Sequence, residues 1–182
     1  MTIAVSPVAS FPSRPWRNGR GMTREIAAGE GWRVSLADID ADGEFSTFPG
    51  LKRSLALASA GRLTLTGLSP AAVTLEARGD IVRFDGSETV SACCHGQSLR
   101  AFNLMARAGI RAGLALHDRA FALPAGARFV LLPLAGVWSV EGASRSVSPD
   151  WIAMGGGDGR SLFLRPDGHA SACLAACVFQ TT

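Results

Sequence analysis

A chain of 182 residues suits one large domain or two small ones tightly joined, and it can close a core without disulfide or metal staples. Hydrophobic residues make up 47% and charged residues 18%, which excludes a disordered chain. The formal net charge is only +3 and the arginines (Arg14, Arg33, Arg62, Arg83, Arg111, Arg145) are scattered, so a nucleic-acid partner is not expected.

Residues 1–16 offer no basic segment, and Ser6, Pro7 and Pro12 break their apolar stretch, so no secretory leader is read there. Trp32, Val34 and Leu36 alternate with Arg33, Ser35 and Ala37, the pattern of a half-buried strand. Leu55 and Leu57, then Leu63 and Leu65, flank Ala60-Gly61, and residues 54–67 read as a hairpin. Further strands follow at 73–77, 81–84 and 89–94, then a helical turn or two around 102–107. Ile110, Ala112, Leu114 and Leu116 alternate again, as do 129–134 and 137–140. The last strands are 151–154, 161–164 and 171–179, with Gly155 to Gly159 as a hairpin turn between the first two. The longest apolar run, 129–138, is far below the roughly 20 residues that span a bilayer. No membrane partner is expected, and Cys93, Cys94, Cys173 and Cys177 read as buried thiols in a reducing cytoplasm. Many short strands at this spacing indicate an all-β sandwich or barrel.

An internal repeat refines that reading. Arg53, Ala60, Gly61 and Gly67 match Arg128, Ala135, Gly136 and Gly142 at a constant offset of 75, and Asp80 and Gly86 match Asp150 and Gly156 at 70. Each copy reads as strand, tight turn, strand, loop, then a turn into another strand, which is the cadence of cupin barrels. The expected architecture is a bicupin, two jelly-roll halves over 1–105 and 106–182, with the first and last strands free to cross between them.

Five blocks carry a more specific likeness: residues 15–26 (Pro-Trp-Arg-Asn-Gly-Arg-Gly-Met-Thr-Arg-Glu-Ile), 32–39, 43–53, Phe84-Asp85-Gly86, and Phe102-Asn103-Leu104-Met105. In that order they resemble the HutD/Ves family. The resemblance implies a bicupin fold and a link to bacterial histidine utilisation, with members acting as pathway governors rather than catalysts. It also implies binding of a small anionic metabolite such as urocanate, formylglutamate or formate. By analogy with cupins, a homodimer through edge strands or sheet faces is the implied assembly. Two positions depart from the family pattern. Arg20 replaces a small residue and would fill or recharge a pocket mouth, and Ala101 replaces an Asp that would contact ligand or orient Asn103.

The residues themselves supply a candidate binding site. Asn18, Thr23, Glu25, Arg33, Ser35, Ser46, Arg53 and Asn103 form a polar set among apolar strands, and on a strand Thr23 shares a face with Glu25, as Arg33 does with Ser35. Arginines facing a barrel interior need partners, either a carboxylate guest or an internal acid, Glu25 or Asp38. Eight polar groups exceed what one internal bridge requires, which favours a pocket, with Arg33 and Arg53 as carboxylate holders. Trp16, Phe45 and Phe48 could wall it for a flat ligand, although Phe45 reads better as a core anchor. No catalytic residue, cofactor or metal is assigned. His95, His117 and His169 lack metal-cupin spacing, and Cys94-His95 with Cys173 and Cys177 lacks the usual zinc spacing. The alternative is a metal-independent enzyme acting on a histidine-pathway intermediate, with Glu25 as general base. A third reading is an interaction protein working through its sheet surface.

Overall fold

The computed structural model describes residues 3–16, 18–156, 159–168 and 172–179. Arg17 of the first motif, Gly157-Asp158 of the glycine run, and His169 lie outside them. The chain forms two compact units, Pro12–Ile110 and a second that joins Met1–Phe11 to Arg111–Thr182. In chain order the strands begin with β1 (Ile3–Pro7). The first unit holds β2 (Ser13–Pro15), β3 (Gly21–Gly29), β4 (Trp32–Ile39), β5 (Gly43–Glu44), β6 (Leu51–Leu57), β7 (Leu63–Thr66), β8 (Val73–Leu75), β9 (Ile81–Asp85), β10 (Ser91–Cys93) and β11 (Leu99–Arg107). The second adds β12 (Ala112–His117), β13 (Phe121–Leu123), β14 (Arg128–Ala135), β15 (Trp138–Val140), β16 (Trp151–Gly156), β17 (Leu162–Pro166) and β18 (Cys173–Phe179). The units part just past the strand that contains residue 105, and β1 pairs with β16 of the later unit.

The first unit sets a six-stranded sheet, β2-β3-β4-β11-β6-β9, against a four-stranded one, β5-β10-β7-β8. The second pairs a five-stranded sheet, β1-β16-β14-β18-β12, with a three-stranded one, β13-β17-β15. Matching β4, β11, β6 and β9 to β12, β18, β14 and β16 makes the two large sheets coincide in strand order, and β5-β10-β7 likewise matches β13-β17-β15. The repeat legible in the sequence is therefore a repeat of topology. Its matched turn glycines are explained by backbone geometry: Gly61 and Gly136 have φ of 131° and 70°, where a side chain is strained.

Three sequence expectations change. Residues 54–67 are not a hairpin, because β6 and β7 belong to different sheets and the Ala60-Gly61 turn carries the chain between them. Likewise β16 and β17 lie in different sheets, so the glycine run joins sheets rather than forming a hairpin. Residues 102–107 are strand, not helix, as part of β11. Residues 101–106 are all buried, so both faces of that strand are covered, Asn103 is the one polar residue among them, and the period-2 signal vanishes. The four cysteines are free thiols, with Cys94 and Cys177 buried and Cys93 and Cys173 half-exposed. Among the described residues no helix is long and apolar enough to cross a membrane.

Separate apolar cores fill the two sandwiches. Leu55, Leu57, Leu63, Leu65 and Leu99 anchor the first, and Phe129, Leu131, Trp138, Leu164 and Leu174 the second. In the first unit the segment between β5 and β6 is tied down by Gly86: Phe48 N–H donates to Gly86 O at 2.6 Å, and Gly86 N–H donates to Leu51 O at 2.7 Å. A Cβ at Gly86 would collide with Phe48 O and sit 2.7 Å from Leu51 O, both backbone atoms that cannot swing aside. Gly86→Ala is therefore expected to lower unfolding free energy by about 1–3 kcal/mol, the usual range for forced overpacking. A urea denaturation curve checks this, and an unchanged midpoint would contradict the packing described.

Candidate functional site

Antiparallel register, rather than nearness in sequence, assembles a polar cavity in the first unit. Across the six-stranded sheet Arg33 of β4 faces Met105 of β11, which faces Arg53 of β6, which faces Phe84 of β9. The next row on the same face is Glu25, Ser35 and Asn103, and the one after is Thr23, Ala37 and Ala101. The polar rows thus stack beside an apolar floor of Ala37, Ile39 and Ala101. The cavity is about 600 Å³, within the range of small-molecule sites.

Arg53 dominates it. Its side chain is 6% exposed, and the guanidinium carbon lies 4.8 Å from the Phe84 ring centre, 5.4 Å from Phe45 and 5.5 Å from Phe48. Aromatic faces thus cover the cation. Its hydrogen bonds are long: Nη1 donates to Ser46 O at 3.3 Å and Nη2 to Asn103 Oδ1 at 3.5 Å. Nε meets no acceptor among the described residues. Burial first, and then the charge of Arg33, push the Arg53 pKa down to about 10. It remains a cation at neutral pH. A fall from 12.5 to about 10 corresponds to about 3 kcal/mol of disfavour for the charged form. Asn103, 4% exposed, is oriented by its own neighbour, since Nδ2 donates to Ala101 O at 3.3 Å and turns Oδ1 toward Arg53.

Arg33 is different, because it has an acid. Its Nε lies 3.0 Å from Glu25 Oε2, an ion pair in which the N–H is not aligned on the oxygen. A register shift between Glu25 and Ala27 sets Glu25 opposite Ser35. Trp16 Nε1 donates to Thr23 Oγ1 at 2.6 Å, and the Trp16 ring meets Phe45 edge-on at 5.7 Å.

Of the residues chosen from sequence, Trp16, Thr23, Glu25, Arg33, Ser35, Ser46, Phe48, Arg53 and Asn103 all line this cavity. Asn18 does not. It sits in the turn between β2 and β3, where Nδ2 donates to Glu44 O at 3.2 Å and Oδ1 accepts from Arg20 N–H at 3.1 Å. Asp38 is also elsewhere, ion-paired with Arg24 at 2.6 Å and Arg100 at 3.1 Å on the opposite face of its sheet. Arg20 does not recharge the mouth. Its guanidinium donates to Asp42 O and its stem lies over Gly43. Ala101 does line the cavity. Phe45 is both core and wall, 8% exposed and in contact with the site. Sequence reasoning missed Phe84, visible only as part of a motif, and Arg14, whose three-residue strand between prolines gives no period. Cys94-His95 and Cys173 with Cys177 belong to different units, and no metal-holding cluster of His, Cys, Asp and Glu forms among the described residues.

Two two-sheet barrels of shared strand order, the first with a polar cavity on its inner face, define a protein of the cupin class. The fold superposes on a Cupin 2 conserved barrel domain protein from Leptotrichia buccalis with a TM-score of 0.62 at 11% identity, covering 97% of this chain and 96% of that one. HutD from Pseudomonas fluorescens SBW25, solved in a formate condition, superposes with a TM-score of 0.82 at 23% identity, covering 99% and 100%. Protein Ves of Citrobacter koseri is 33% identical over 141 residues, 73% of each chain. The HutD family model matches residues 8–170, and the chain belongs to the HutD family.

A buried guanidinium without a paired acid costs stability. Arg53→Met is expected to raise the unfolding free energy of the ligand-free protein by about 1–3 kcal/mol. Thermal and urea unfolding measure this, and a destabilised variant would show that Arg53 is a structural strut.

Proposed function

We propose that this protein is a non-catalytic binder of a small carboxylate anion from histidine breakdown, of the urocanate, formylglutamate or formate class, and that occupancy modulates histidine utilisation. The observation that carries the reading is Arg53: a cation buried between phenyl rings, with an unmatched Nε–H and no acid paired with it among the described residues. A carboxylate supplies the missing charge, and the planar fork of arginine suits its two oxygens. The rings of Phe45, Phe48 and Phe84 cover the guanidinium faces, which directs a guest to its hydrogen-bonding edge. Asn103 and Ser35, both buried on the same wall, supply orienting hydrogen bonds. Glu25 is engaged by Arg33 and counters that arginine, which leaves Arg53 for the guest. Membership of the HutD family supports the pathway, and the relative solved in a formate condition supports the ligand class.

Titration calorimetry with urocanate, formylglutamate and formate is the test. At least one is expected to bind, and Arg53→Met to weaken it by about 30-fold or more, as for loss of one partner of a buried charge pair. Folded protein giving no heat with any of the three, or Arg53→Met binding as tightly as the parent, would overturn the proposal.

A further inference from the structure

The cavity carries more charge than one carboxylate neutralises. The ionisable side chains lining it are Arg14, Glu25, Arg33 and Arg53, three cations and one anion, so two positive charges are in excess. Glu25 is committed to Arg33. That leaves Arg53 at the buried end and Arg14, which is exposed and whose side chain makes no hydrogen bond or ion pair among the described residues. Arg14 lies opposite Thr23 on β2, the edge strand, whereas Arg53 is on β6, four strands away in the sheet. Strands spaced about 4.8 Å apart put their backbones roughly 19 Å apart along a flat sheet, less where it curves. The two guanidinium groups without a paired acid among the described residues are therefore at separate places on the wall, with Ala37, Ile39 and Ala101 lining the same cavity as an apolar floor. Nor does a one-carbon acid fill a space of about 600 Å³.

We propose that Arg14 is a second anion contact and the specificity-determining residue of this site, and that the preferred guest is an extended dicarboxylate with an aliphatic spacer. This rests on the reading of Arg53 as the primary carboxylate anchor. The inner carboxylate meets a buried cation and supplies most of the affinity. The outer one meets an exposed cation, so its contribution is small and screened by salt.

The test compares the linear dicarboxylates succinate through pimelate with monocarboxylates of equal carbon number, by calorimetry at low and high ionic strength. The expected result is a preference for the diacid of up to about five-fold, largest at one chain length, reduced by salt and abolished in Arg14→Gln with monoacid binding unchanged. The Arg14 side chain makes no hydrogen bond or ion pair among the described residues, so that variant is expected to keep the parent melting temperature. Equal affinities for diacid and monoacid, or a preference that survives Arg14→Gln, would remove Arg14 from the site while leaving Arg53 in it. Binding of neither series would overturn both assignments.

Discussion

A positive charge is held where little of it is exposed to water, and much of the first unit is arranged around that fact. The guanidinium of Arg53 is enclosed by phenyl rings from the segment after β5 and from β9, and the charge that acts on it is that of another arginine, Arg33. Desolvation is severe enough to depress its pKa, yet not enough to discharge it at neutral pH. Cation–π contacts and two long hydrogen bonds only partly offset the loss of water. An environment of this kind leaves the cation with hydrogen-bonding capacity that the protein does not fill among the described residues, which is the feature on which the proposed binding rests.

The surrounding polar groups divide the work by position. Glu25 balances Arg33, Asp38 balances Arg24 and Arg100 on the far face, and neither acid reaches Arg53. Ala101 adds only a methyl group to the cavity lining, and its carbonyl fixes Asn103. Gly86, remote in chemistry, matters because it clamps the segment that brings Phe45, Ser46 and Phe48 over the arginine.

The two units share strand order but not this chemistry. Arg53 and Arg128 align in the repeat, yet Arg128 is exposed. In the first unit Leu55 and Leu57, on the Arg53 side of β6, enter the internal core. In the second the core takes Phe129 and Leu131, on the side of β14 opposite Arg128. A register shift between Pro133 and Ala135 accounts for the change, since one extra residue exchanges the two faces of a strand. Duplication supplied two scaffolds, and a single bulge put hydrocarbon in one where the other keeps a cation.

How much of this was legible in the sequence follows from the kind of signal each feature leaves. Alternation of apolar and polar residues marked the strands with one wet face, and the spacing of turn glycines marked the repeat, because both are local consequences of backbone geometry. Nearly all the polar wall was legible too, since Arg33, Ser35, Arg53 and Asn103 are costly among apolar strands unless something pairs with them. The sequence could not say which acid met which arginine, that Asn18 turned outward to Glu44, that Arg14 joined the wall, or that residues 102–107 were strand. Those outcomes depend on sheet register and on which faces end up covered, and both are decided by contacts between residues far apart in the chain.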